Sequence, residues 1–493
     1  MGSATDHRPP AVALAALIGS AVLFAFGTGL QPVWWLTWLA PIPVLLVAPR
    51  MSAVRAASVA AAAHLLGMAG FARYLLAGLA VPIPVVAAVL VVTAGVFAGV
   101  VLLFRALVRR GRPILAVLAA PAMWSGAEYL IAALTPFGSN WAVANSQADA
   151  LPVLQVVAVT GPWGVAFVVL AVACAIGVLA APALERRVRL RAAGVGALAL
   201  VGALGFGTAR LALPDDPVAE PVRVSLVAAP TPVRQPHAGT PAGRALLDAD
   251  LDRVRSLAPG GTDLVVFPEK DLVVDDATLP GVLDRFSAAA RAEGVTLVLG
   301  VEQHSGAIIR NTALTFPADG SPPIVYHKQY PVPGVEDEVT AGVEPVSALT
   351  GPPPRIGTAI CADLGRPALG RAYGSTGIGL LAVPALDFTV DAWSQSRVQS
   401  LRGAENGYAV ARAARAGFLT VTDARGRVLA QEVATDGRAA AVTVDVPLQA
   451  GGTPYTRFGD WFAWLCLVTA LLGVVLAGPV HPAVGSREPV GHA

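Results

Sequence analysis

The chain has 493 residues, of which 55% are hydrophobic and 14% charged, with a formal net charge of +2. Soluble domains carry about 25% charged residues, so this composition excludes an ordinary soluble protein and points to a membrane protein. The near-neutral balance, without a basic block, gives no sign of nucleic-acid binding, and three isolated cysteines offer no disulfide framework or cysteine metal site.

The first half divides into apolar runs, most of them near the roughly 20 residues that a bilayer-spanning helix needs. They cover 11–30, 33–48, 56–76, 79–108, 113–134, 153–181 and 192–213. The first is longer than a signal-peptide core and is followed at once by further spans, so it is expected to stay uncleaved. Gly95 and Gly99 form a small-xxx-small pair suited to helix packing. Arginines alternate between loops: Arg50 and Arg55, then Arg105, Arg109, Arg110 and Arg112, then Arg186, Arg187, Arg189 and Arg191. The intervening loops carry little beyond Arg73. Under the positive-inside rule the rich loops and the N-terminus near Arg8 are cytoplasmic, and everything after residue 213 lies outside.

Within the spans, Glu128 in MWSGAEYL is a carboxylate at membrane depth. Such a group either has a partner or a job. It is expected near the outer end of its helix, as an interfacial anchor beside Trp124 and Tyr129 or as a substrate contact. Trp141, in the outer loop that follows, either lines a lipid access route or anchors at the headgroups.

Residues 214–221 (PDDPVAEP) read as a linker. From Val222 the pattern changes to short β-type runs alternating with helical stretches, which predicts an α/β domain over 222–447. Strands are expected in VRVSLVAA, DLVVFPE, VTLVLGVE, NTALTF, RIGTAIC, GLLAVPAL, FLTVTD and AAVTVDV, and helices over 244–257, 278–293 and 391–405. Arg397, Arg402 and Glu405 on the last of these helices read as structural. A connector over 448–460 leads to a C-terminal span at 461–480 and a cytoplasmic tail at 481–493 containing Arg487.

Cys361, in RIGTAICADLGRP, is the thiol in the polar part of the chain, because Cys174 and Cys466 lie inside apolar runs. It falls where a strand gives way to a loop, a setting suited to a nucleophile. Glu269 ends the run DLVVFPE and Lys328 follows another strand-like run, VYHK. A carboxylate can act as base for a thiol that is mostly protonated at its free pKa, and an ammonium can stabilise a tetrahedral oxyanion. The seven histidines form no metal-ligand spacing such as HExxH. There is neither a GxSxG elbow nor a phosphate-binding glycine loop.

The FPE, K-then-VPG and ICAD stretches, in that order, resemble the carbon–nitrogen hydrolase, or nitrilase, superfamily. SNWAVANSQ, AVTGPWGVAF and TPYTRFGDW narrow the resemblance to its membrane-embedded branch, the apolipoprotein N-acyltransferases, and together the motifs cover nearly the whole chain. The resemblance implies a polytopic helical membrane domain of about eight spans plus a four-layer αββα sandwich. It implies Glu269 as general base, Lys328 as oxyanion stabiliser and Cys361 as nucleophile. Glu336 stands where the family carries a further functional acid on a mobile loop, although it also sits in an ordinary acidic stretch with Asp337 and Glu338. Asp363 stands where the branch usually has Glu, and could alternatively cap the following helix. Three positions depart from the family pattern. Ala362 replaces an aromatic, Lys270 replaces a small hydroxyl residue after the base, and APTPVRQPHAG lacks a Trp found there in relatives.

The function implied is transfer of an acyl chain from a membrane phospholipid, through a Cys361 thioester, to the N-terminal amine of a diacylglyceryl-cysteine lipoprotein. No metal or organic cofactor is required. The same three residues would also serve a membrane-tethered amidase or nitrilase. A wide lipid-lined opening favours the transferase and a small closed pocket the hydrolase. A non-catalytic membrane scaffold is the third possibility, against which the presence of all three residue types argues.

Overall fold

The structure, a computed structural model, describes residues 10–214, 220–230, 235–349, 355–434, 438–449 and 451–478. Arg8, most of the 214–221 linker, part of the segment after the first expected strand, and the tail with Arg487 lie outside the described residues.

Four helices among the described residues are long and apolar enough to cross a membrane: Ile83–Arg109, Pro113–Leu134, Pro162–Leu179 and Arg186–Ala212. Ala53–Gly67 and Ala69–Gly78, bent by 49°, count as a fifth if taken as one span. Shorter apolar helices occur at Ala11–Gly27, Leu151–Thr160 and Trp461–Ala477. Length and composition therefore support four or five crossings among the described residues, fewer than the expected total of about eight. The expected span at 33–48 is two short helices, Trp34–Leu39 and Ile42–Val47. Pro41 lacks an amide hydrogen and its ring crowds the preceding turn, so the helix breaks there. The Ala40 carbonyl is met by the Ser20 hydroxyl at 2.6 Å. The expected span at 153–181 likewise starts as short turns and becomes a continuous helix only at Pro162.

The α/β region holds two sheets. One runs in the spatial order Ala440–Val446, Val222–Ala228, Leu264–Val266, Thr296–Ser305, Ile308–Phe316, Ile324–His327, with Leu272–Asp275 also paired to Thr296–Ser305. The other runs Val428–Ala434, Gly417–Thr422, Ala409–Arg415, Ile378–Leu386, Arg355–Thr358, Ser347–Ala348. Val224, Leu226, Val266 and Val298 of the first sheet pack on Leu380, Ala382, Ala411 and Leu419 of the second, all fully buried. Helices Pro241–Leu257 and Leu279–Glu293 cover the outer face of the first sheet with Leu247, Val254 and Phe286. Pro367–Ser375 and Ala392–Asn406 cover the second. This is the αββα sandwich expected from the resemblance.

Ala409–Arg415 (AVARAAR) was not expected as a strand, since Ala and Arg are strong helix formers. Its place between Ile378–Leu386 and Gly417–Thr422 overrides that preference. Alternation puts Ala409, Ala411 and Ala413 into the tight space between the sheets and turns Arg412 the other way.

The sandwich is fastened to the membrane helices at several points. Ser139 N donates to Gly365 O at 2.8 Å, and Arg366 donates to the Ala132 and Thr135 carbonyls at 3.1 and 2.8 Å. A Cβ on Gly138, which has φ of +60°, would lie 2.2 Å from Gly365 O. Only glycine permits both that backbone angle and so close a contact. Tyr74 donates to Asp391 at 2.5 Å and Trp163 to Asp460 at 2.8 Å. The contacts of Gly138, Ser139 and Arg366 hold the turn after Cys361 against the segment that leads to Trp141.

Candidate active site

The strand Leu264–Val266 delivers Glu269 two residues beyond Phe267, where its amide donates to Ala385 O of the opposite sheet at 3.2 Å. This turn lies directly over Gly300, on which a Cβ would come within 2.3 Å of Pro268 O and 2.7 Å of Glu269 Cα. Lys328 follows Ile324–His327, its amide bonded to Asn311 O at 2.8 Å. Cys361 opens a 3₁₀ turn, Cys361–Gly365, rather than ending the strand Arg355–Thr358. Its φ of +39° is costly for a residue with a Cβ, and such local strain concentrates at functional turns.

Three of the expected residues form one buried hydrogen-bonded group. Lys328 Nζ donates to Glu269 Oε1 at 2.7 Å and to Glu336 Oε2 at 2.6 Å. Asn311 Nδ2 donates to the same two carboxylates, at 2.5 Å to Glu269 Oε1 and 2.8 Å to Glu336 Oε1. Glu269 Oε2 is buried and has no hydrogen-bond partner among the described residues. Burial works against a charged Lys328, but Glu269 and Glu336 more than offset it and hold its pKa well above the usual value. Burial likewise disfavours ionised Glu336, yet Lys328 and Lys270 hold its carboxyl down at about 2. Burial, reinforced by the Glu269 charge, pushes the Cys361 thiol above its usual range, against the opposing pull of Lys328 and Arg412. The resting thiol thus lies in the field of Glu269, whose Oε2 has no hydrogen-bond partner among the described residues.

Asp363 has a definite place, and it is not the alternative cap of the following helix. Its Oδ1 accepts from the Gln329 and Tyr330 amides at 3.0 and 2.9 Å. Its Oδ2 accepts from the Tyr326 hydroxyl at 2.8 Å and the Ile360 amide at 3.2 Å. It clasps the Cys361 turn to the residues flanking Lys328. Burial raises its pKa to about 6, opposed by Lys328 and these hydrogen bonds, so it is ionised at neutral pH.

Cys361 opens into a cleft of about 790 Å³ walled by both parts of the molecule, including Leu30, Tyr74, Leu79, Trp141 and Phe388. Trp141 stands edge-on to Phe71 at 5.0 Å and is tilted against Phe137 at 4.5 Å, centroid to centroid. It also borders an apolar groove of about 1290 Å³ along the start of Ile83–Arg109, and a cavity of about 1070 Å³ among the membrane helices. Glu128 lines that last cavity and not the Cys361 cleft. Its Oε1 accepts from Trp124 Nε1 and Val143 N, both at 2.9 Å. The structure therefore brings Glu269, Lys328, Glu336 and Cys361 together, sets Asp363 behind them and Trp141 at the cleft wall, and leaves Glu128 apart. Arg402 and Glu405 pair at 2.9 Å, fully buried.

Residues 20–175 match the apolipoprotein N-acyltransferase N-terminal domain, and residues 234–452 match the carbon-nitrogen hydrolase family. A protein from Geobacter metallireducens described as apolipoprotein N-acyltransferase is 28% identical over 421 residues, covering 75% of this chain and 76% of that protein. Together these matches support an apolipoprotein N-acyltransferase within the nitrilase superfamily. Among solved structures it is similar to an amidase from Nesterenkonia sp. AN1. One such structure is 21% identical, covering 46% of this chain and 93% of that one with a TM-score of 0.38. Another is 20% identical, covering 51% and 98% with a TM-score of 0.40.

The other side of Cys361 carries groups that sequence reasoning missed. Gln399 Nε2 lies 3.9 Å from Cys361 Sγ, and the thiol faces Leu386 O at 3.8 Å. Arg412 Nε donates to Gln399 Oε1 at 2.7 Å, while its two terminal nitrogens grip Asp387, one at 3.0 Å. Burial pushes the Asp387 carboxyl up to about 6 against the pull of Arg412. Asn311 was also missed, because an Asn inside an ordinary strand run carries no motif. The alternation of NTALTF could have flagged it as facing the same way as Ala313 and Thr315.

Proposed function

We propose that the protein transfers an acyl chain from a membrane phospholipid to the N-terminal amine of a diacylglyceryl-cysteine lipoprotein, through a thioester on Cys361. The N-terminal-domain match and the similarity to a protein described as apolipoprotein N-acyltransferase support lipoprotein N-acylation. The observation that carries the reading is the Cys361 cleft, which is walled by membrane helices and borders, at Trp141, a groove lined by Val85, Val89 and Val92. A hydrolase of small amides has no use for such a lipid-side opening.

Glu269 takes the thiol proton at its unsatisfied oxygen as Cys361 Sγ attacks the ester carbonyl. Lys328 neutralises the tetrahedral oxyanion. Collapse forms the thioester, and the departing glycerol oxygen takes the proton from Glu269 to leave as a lysophospholipid. The acceptor amine then attacks the thioester carbonyl and gives its proton to Glu269. The C–S bond breaks, the amide forms, and the proton returns to the thiolate. No metal or organic cofactor takes part in this scheme. Trp141 would guide chains between groove and cleft, Glu336 would hold Lys328, and Asp363 would position the nucleophile turn.

By the positive-inside rule the arginine-rich loops would lie in the cytoplasm with both termini, and the sandwich on the extracytoplasmic face of the cytoplasmic membrane. Glu128, remote from the thiol, would polarise the neighbouring helix cavity. Intact-mass measurement of the purified protein with phospholipid tests the reading. The expected result is a gain of one acyl chain that is discharged onto a diacylated lipopeptide and is absent from Cys361→Ala. A Cys361→Ala protein that still transfers acyl chains would overturn it, and an adduct discharged by water alone would favour a hydrolase.

A further inference from the structure

The scheme above leaves Lys270 without a role, although it directly follows Glu269 and departs from the small hydroxyl residue of the family pattern. The chain commits backbone strain to this position, with φ of +49° at a residue bearing a long side chain. The ammonium is largely buried. It lies 3.1 Å from Glu336 Oε1 and 3.4 Å from Glu302 Oε2, and the other Glu302 oxygen is 2.8 Å from His304 Nε2.

Glu336 is thus held from two sides, by Lys328 on Oε2 and by Lys270 on Oε1. Asn311 also donates to it, and through Asn311 and Lys328 it is linked to Glu269. Asp337 and Glu338 follow on its own loop, with Asp337 turned to the Gly334 amide. Glu336 also closes that loop on itself, since its Oε2 accepts from Val332 N at 2.9 Å. The loop forms part of the cleft wall through Val332 and Pro333 and rests against the membrane-side backbone at Leu79 and Ala80 through Gly334.

Charge counting shows what the second lysine changes. With Lys328 alone, two carboxylates would compete for one ammonium that the reaction also needs for its oxyanion. Opposite charges at these separations in a water-poor site attract strongly, so Lys328 would be drawn toward whichever carboxylate lacked another partner. We propose that Lys270 is a positioning residue that shares Glu336 with Lys328, pairing its Oε1 while Lys328 keeps Oε2, so that the cleft loop stays closed and Lys328 is not drawn away from Glu269 and the reacting carbonyl. This rests on the acyl-transfer reading above, and the test separates the two.

The test is alkylation of Cys361 by iodoacetamide in the full chain, followed by peptide mapping across a range of pH, in Lys270→Met, Lys270→Arg, Glu336→Gln and the Lys270→Met/Glu336→Gln double variant. Loss of Lys270 removes one of the two cations that pair with Glu336 and pulls Lys328 toward it, away from Glu269 and the thiol. The expected result is alkylation about tenfold slower in Lys270→Met at every pH tested. Lys270→Arg restores the rate to within about threefold, and in the Glu336→Gln background Lys270→Met changes it less than about twofold. An equal fall in both backgrounds, or no change in either, overturns the proposal. Should Lys270→Met fail to fold, Lys270→Gln enters the same cycle. Parallel incubation with phospholipid distinguishes the readings: a wild-type thiol that alkylates but never acylates defeats the transferase reading, while the alkylation cycle still decides the role of Lys270.

Discussion

Cys361 is flanked by two buried charged groups that differ in one respect. On one side Glu269, Lys328, Glu336 and Lys270 form a group in which Glu269 Oε2 has no hydrogen-bond partner among the described residues. On the other, Arg412 meets Asp387 through two nitrogens and Gln399 through a third, so both Asp387 oxygens are occupied. An unsatisfied buried carboxylate oxygen is costly and disposed to take a proton. A doubly bonded guanidinium pair is fixed in geometry and gives up nothing without penalty. The first flank is therefore suited to chemistry and the second to holding the thiol in place.

Glu269→Gln tests the first flank most severely. It keeps the size of the side chain and removes the proton acceptor, so acylation of Cys361 should slow by about 10³-fold with the fold intact. A rate within tenfold of wild type would show that the base lies elsewhere. On the second flank, Arg412→Met leaves Asp387 buried and unpaired. That should cost about 3 kcal/mol of stability, seen as an earlier thermal transition in detergent, whereas Arg412→Met combined with Asp387→Leu should recover much of it. An unchanged transition would mean that the pair does not support the turn.

The two flanks should also differ in pH response. The folded-state pKa of Glu336 is held at about 2, below its ordinary value, by Lys328 and Lys270 against burial. Its contribution to stability is then complete above the ordinary carboxylate range and is lost as pH falls toward about 2. Glu336→Gln should flatten thermal stability across that acid window. Asp387 shifts the opposite way, up to about 6. Its burial therefore costs stability as pH rises from the ordinary carboxylate range to about 6, and Asp387→Asn should not reproduce the Glu336→Gln profile. The smallest effect is expected for Gln399→Leu, which removes a long donor contact to the thiol and should slow alkylation of Cys361 by about threefold.

Much of the first flank was legible because its residues stand in recognisable local settings. Glu269 and Lys328 each follow an apolar strand, and Cys361 sits in a polar region where the other two thiols do not occur. The second flank was not legible, because Arg412 lies in AVARAAR, whose composition favours a helix. Asp363 was read as a supporting acid with a local cap as the alternative, and what the sequence could not show is that its amide partners at Gln329 and Tyr330 are more than thirty residues away. The break at Pro41 could have been suspected from two prolines in a short apolar run.

The sequence by itself determined that this is a membrane protein with a large α/β insertion, since uncharged runs must leave water and alternating strand and helix patterns must find a core. It also identified the residue types for acyl transfer. Only the tertiary structure decided which charges share a partner, because a buried ion's state depends on neighbours brought from distant strands. That is how Lys270, a departure from the family pattern when read along the chain, comes to lie beside Glu336 rather than in the solvent.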